Sequence, residues 1–138
     1  MVIDTSAILA ILLEEQEAGL FVHKISQDRI RLCSAVNFVE ASIVLRTRKG
    51  ERGRQKLDQF LKRAQVDVAS VDVRHAEIAC QAYQEFGKGK HPAGLNLGDC
   101  FSYALAKSEE QPLLYEEQPL LYKGNDFALT DVQSAAID

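Results

Sequence analysis

Short apolar segments recur along this chain, each but the last followed by a stretch with helical character, and that alternation narrows the choice of fold more than any other feature. Residues 2–3, 29–33, 66–71 and 119–122 read as strands. Helices are expected over 7–13, 17–25, 34–48, 55–64, 72–86 and 96–106. Ser, Asp and Asn residues stand where caps belong: Asp4-Thr5-Ser6, Ser34, Asp72 and Asn96. Gly50 and Gly53 break the central helical stretch, and the run at 87–94, rich in glycine and lysine, is a loop. Strands alternating with helices through short loops predict an α/β fold around a mostly parallel sheet. A chain of 138 residues fits one domain, 1–138, large enough for a real core.

Composition removes several functional classes. A hydrophobic share of 46% excludes wholesale disorder, and a net charge of −4 gives no blanket attraction to nucleic acid. Any contact with phosphates must come from local basic patches. Cys33, Cys80 and Cys100 form no CxxC pair and no Cys/His cluster, which argues against a disulfide framework or a zinc site. They read as buried thiols in a reducing cytoplasm. The apolar opening MVIDTSAILAILL lacks a basic leader region, carries Asp4 and runs into Glu14 and Glu15, so it is expected to be mature protein, neither a signal peptide nor a membrane span.

Three acids are isolated in apolar surroundings. Asp4 is the only charge among the first thirteen residues, Glu40 the only one between Arg31 and Arg46, and Asp99 the only one between His91 and Lys107. An ionised carboxylate buried alone costs several kcal/mol, and no lysine or arginine is near in sequence to any of them. A shared divalent cation would satisfy all three. Asp4 ends a strand, Asp99 lies in the first turn of a helix, and Asp126 follows the last strand. All three would therefore reach the carboxyl edge of a parallel sheet, where functional groups gather. Oxygen ligands without histidine or thiolate favour Mg²⁺, with Mn²⁺ as the alternative. Each acid also has a plainer role: Asp4 as an N-cap, Asp99 in a capping box with Asn96, Asp126 in a Gly-Asn-Asp turn. Glu40 has no such local role.

The ordered set VIDTSA, NFVEAS, LNLGDCFSYALA and LLYKGNDF resembles the PIN-domain family, and within it the VapC-type toxins of bacterial toxin–antitoxin pairs. The resemblance spans nearly the whole chain. It implies a three-layer α/β/α fold and Mg²⁺-dependent endoribonuclease activity, with Asp4, Glu40, Asp99 and Asp126 as the acidic quartet and Asp4 and Asp99 as the principal metal ligands. It also implies a cognate antitoxin, a homodimer and an RNA substrate. Ser6 matches a hydroxyl frequent beside the first acid. Gly124 departs from the pattern, since relatives often carry a further acid there.

A second departure is internal. EEQPLLY at 109–115 is repeated without change at 116–122. Only the second copy runs directly into Gly124-Asn125-Asp126, so it is expected to form the strand while residues 111–117 loop out, with the first copy's acids closing the preceding helix. The rival reading makes the duplicated chain a weak or inactive module that binds RNA or antitoxin. A phosphotransfer domain with a nucleophilic Asp4 fits less well, because Ser6 stands where a second acid would be needed. Two basic segments remain: Arg46 to Lys56, expected to be a solvated helical hairpin or part of an antitoxin-facing surface, and Lys88, Lys90 and His91, expected to flank the acidic centre.

Overall fold

The computed structural model describes residues 1–108 and 118–135. Among these residues four strands, β1 (Val2–Ile3), β2 (Leu32–Ser34), β3 (Asp67–Ala69) and β4 (Leu120–Leu121), form one sheet in the order β3-β2-β1-β4, every pairing parallel. Five helices accompany them: α1 (Thr5–Leu12), α2 (Ala18–Gln27), α3 (Ala35–Arg63), α4 (Val73–Phe86) and α5 (Leu97–Lys107).

The alternation of side chains along these short strands builds the layers. Val2, Leu32 and Leu120 point to one face, where they pack with Ala79, Phe86, Tyr103 and Ala104 of α4 and α5. Ile3, Cys33 and Leu121 point to the other, against Ala7 and Ile8 of α1, Phe21 of α2 and Ala41, Leu45 and Leu57 of α3. Successive side chains on opposite faces are what a strand dictates. The result is the expected three-layer α/β/α arrangement with an all-parallel sheet.

Helix α3 is two arms joined at Gly50, whose φ of 65° and ψ of −155° are open to glycine at little cost. The Arg54 guanidinium lies 5.0 Å over the Phe38 ring, whereas an unbroken helix would separate those residues by ~24 Å. The chain therefore doubles back, as a hairpin must. Arg46 pairs with Glu51, and Arg54 with Asp58, on its exposed sides.

Two sequence expectations need correction. Cys33 and Cys100 are buried, but Cys80 is exposed, because it lies on the outer side of α4, where it lines a groove of about 610 Å³ shared with α5. Helix α5 stops at Lys107, with Ser108 extended, so it closes before Glu109 and Glu110. Of the repeat, the second copy supplies β4, with Leu120 and Leu121 fully buried. The expected loop at 111–117 lies outside the described residues.

Candidate active site

The carboxyl ends of β1 and β4 and the N-terminus of α5 meet on one edge. Asp4 leaves β1 with its own N–H donating to Leu121 O at 3.0 Å, and its side chain caps α1. It is 1% exposed. Oδ2 accepts the Ser6 N–H at 3.0 Å and the Ser6 hydroxyl at 2.6 Å, while Oδ1 accepts the Ser102 hydroxyl of α5 at 2.5 Å. Burial raises the Asp4 pKa, and the Ser102 and Ser6 hydrogen bonds oppose that rise. Ser6 Oγ also accepts the Lys123 N–H at 2.9 Å, so the chain leaving β4 is anchored to the same group.

Asp99 sits in the first turn of α5. The capping box is formed in full: Asp99 N–H donates to Asn96 Oδ1 at 2.9 Å and Asn96 N–H to Asp99 Oδ2 at 3.0 Å. The cap holds Oδ2 and so orients the carboxylate. Asp99 is pushed up to about 7, first by burial, with the Asn96 hydrogen bond opposing and the negative charges of Asp4, Glu40 and Asp126 adding to the rise. That shared influence brings the four predicted acids into one electrostatic neighbourhood.

Glu40 is delivered by α3, its carboxylate lying against Gly98. A Cβ there would stand 2.5 Å from Glu40 Oε2, so glycine is what lets the carboxylate come this close beside Asp99. Asp126 is exposed and opens a short 3₁₀ turn, Phe127–Leu129, without a side-chain cap bond. The Cys33 thiol, beneath Asp4 and Glu40, is pushed up to about 12 by burial and by those two charges, which leaves it inert as a nucleophile.

Sequence reading missed two members of this edge. Asn37 is fully buried, and its Nδ2 donates to Thr5 Oγ1 at 3.0 Å and to Gly98 O at 3.1 Å, joining α3 to α1 and α5. Ser102 reaches Asp4. Both stand three residues from a lone acid on the same helix, Asn37 before Glu40 and Ser102 after Asp99. That spacing was visible in the sequence as a polar residue sharing the acid's face.

The remaining basic candidates divide. His91 accepts the Ala93 N–H at Nδ1 and meets the Phe86 ring edge-on at 5.2 Å, which makes it part of the loop's own structure. Lys88 and Lys90 are exposed, with Lys90 5.4 Å over the Tyr83 ring.

Among the described residues, no lysine or arginine forms an ion pair with Asp4, Glu40, Asp99 or Asp126. Nor do three acid, histidine or cysteine side chains among them converge tightly enough to form a finished cation cage. The donor set is nonetheless of the right kind for a hard divalent ion: carboxylates alone, oriented by neutral donors and repelling one another.

A profile of the PIN domain matches residues 1–131. The chain belongs to the PIN-domain family. Its PIN relatives include Ribonuclease VapC30 of Mycobacterium tuberculosis (strain H37Rv), 46% identical over 137 residues and covering 99% of both chains. Ribonuclease VapC of Mycolicibacterium smegmatis is 48% identical over 132 residues, covering 96% of this chain and 97% of that one. Among solved structures, the PIN fold here is similar to the crystal structure of Mycobacterium tuberculosis VapC20, described as a sarcin-ricin loop cleaving toxin. The TM-score is 0.73, with 95% of each chain covered and 16% identity, a likeness of fold.

Proposed function

We propose that this PIN domain is a Mg²⁺-dependent endoribonuclease, with Mn²⁺ as the alternative ion, and the toxin member of a toxin–antitoxin pair. The observation that carries the reading is the set of four carboxylates at one sheet edge, with no ion-pairing lysine or arginine among the described residues. The relatives named as VapC ribonucleases support the same activity class.

Asp4 and Asp99 would hold the ion directly, and Asp126 would be a further or water-mediated ligand. Glu40 either ligates through water or accepts the proton of the attacking water as general base. A bound ion supplies a water of lowered pKa and neutralises charge developing on the phosphoryl group. Residues Ser6 and Ser102 orient Asp4, and the Asn96 cap orients Asp99. Lys88 and Lys90 would meet RNA phosphates on the approach to α5.

The reading extends to one domain over 1–138, a cytoplasmic setting, a cognate antitoxin and a homodimer. No described helix is long and apolar enough to cross a membrane. Against the inactive-module rival stands the placement of the repeat, whose second copy fills β4 and continues directly to Lys123 on Ser6.

The test is purified protein incubated with RNA, with Mg²⁺ and then with excess chelator. Cleavage confined to the Mg²⁺ reaction is expected. Undiminished cleavage in chelator would defeat the metal reading, and RNA binding without cleavage under any divalent ion would favour the inactive module.

A further inference from the structure

We infer that Ser102 is a positioning residue that fixes the Asp4 carboxylate relative to Asp99; this rests on the metal-site reading above. The Ser102 hydroxyl is spent away from its own helix. A buried serine inside a helix ordinarily satisfies itself on the carbonyl four residues earlier. For Ser102 that carbonyl is Gly98 O, and Asn37 Nδ2 is hydrogen-bonded to it at 3.1 Å. The fully buried Ser102 hydroxyl instead donates across elements to Asp4 Oδ1 at 2.5 Å.

That bond has a geometric consequence. The last torsion of an aspartate is broad and soft, so a carboxylate held at one oxygen still swings. Asp4 is held at both, by Ser6 on Oδ2 and by Ser102 on Oδ1. Oδ2 is filled by the Ser6 N–H and hydroxyl, whereas Oδ1 retains a further lone-pair site after accepting the Ser102 hydroxyl and is the oxygen open to a cation. Because the donors are neutral, they satisfy a buried carboxylate without cancelling the charge a cation needs. A lysine in the same place would compete with the ion.

Helix α5 makes this a link between two acids. Asp99 and Ser102 are three residues apart and share a face, so the helix that presents one carboxylate also grips the other. Asn37 completes the brace by tying α3 to Gly98 of α5 and to Thr5 of α1. The separation of Asp4 from Asp99 is then set by the Ser102 bond and not by side-chain repulsion.

The experiment is Mn²⁺ titration of the full chain, read by the free-ion EPR signal, together with metal-free melting temperatures. Variants are Ser102→Ala, Ser102→Cys, which keeps the size with a weaker donor, and Ser26→Ala as an exposed hydroxyl control. Ser102→Ala should bind Mn²⁺ roughly tenfold more weakly, with a lowered metal-free melting temperature but the fold retained by circular dichroism. Ser102→Cys should fall between, and Ser26→Ala should match wild type. If Ser102→Ala does not fold, weaker binding by Ser102→Cys supports the inference in its place. Wild-type affinity in a folded Ser102 variant overturns this inference alone. Absence of Mn²⁺ and Mg²⁺ binding by wild type overturns the metal-site reading and this inference with it.

Discussion

Asp4 and Asp126 approach the same sheet edge from two strands built to very different standards. At the end of β1, Asp4 is buried, caps α1 and accepts three hydrogen bonds from Ser6 and Ser102. Beyond β4, Asp126 is exposed in a short turn with no side-chain cap bond, reached through a strand drawn from a seven-residue repeat. A carboxylate held at both oxygens has lost its freedom before any ion arrives, so little more is lost on binding. An exposed one must be ordered by the ion itself. The acid at the end of β1 should set metal affinity and the acid beyond β4 should only adjust it.

Substitution at the two strand ends should break the symmetry of the quartet. Asp4→Asn and Asp99→Asn should each reduce RNA cleavage below detection with the fold retained by circular dichroism. Asp126→Asn should cost roughly tenfold, in line with a ligand of the outer kind. Equal losses at Asp4 and Asp126 would abolish the distinction drawn here.

Proton competition sharpens it further. The Asp99 carboxyl lies at about 7 in the folded, metal-free protein against 3.8 ordinarily. A raised folded value means stabilisation that is full below the ordinary pKa and lost as pH rises towards 7. Relative to Asp99→Asn, metal-free wild type should therefore lose melting temperature between about pH 4 and pH 7. Mg²⁺ must displace that proton, so its affinity should rise by up to about tenfold per pH unit over the upper part of that range and level off above it. A pH-independent affinity would remove Asp99 from the ligand set.

What could be read from the sequence follows the range of the forces involved. Strand and helix succession is local, and so are the caps at Asp4, Ser34, Asp72 and Asn96, all of which form. The three lone acids were visible because an uncompensated charge in an apolar run is anomalous wherever it folds. Asn37 and Ser102 were harder, since their meaning is the partner they reach across 32 and 98 positions of chain. The exposure of Cys80 was equally hidden, because α4 shows the same small-residue pattern whether its outer side is covered or not. The repeat was legible by continuity, which placed the second copy in β4.

That placement gives a smaller effect. Deleting residues 111–117 shortens the connection between α5 and β4 and leaves every described strand and every proposed site residue in place. Stability should rise by about 1 kcal/mol in urea denaturation through the reduced loop-closure cost, with cleavage retained. A large loss of stability would mean that those residues contribute packing of their own.

The smallest effect is expected at the loop. Lys88→Ala with Lys90→Ala should weaken RNA binding and lower the salt dependence by about one unit of slope for each phosphate no longer neutralised. An unchanged slope would make this loop a solvated connection and nothing more.

The claim that the built edge holds the ion is most directly met by the anomalous difference map of a Mn²⁺-soaked crystal. A peak bound by the carboxylates of Asp4 and Asp99, with Ser102 still on Asp4 Oδ1, is the predicted result. A peak placed elsewhere, or one at this edge that Asp4 does not touch, would contradict it.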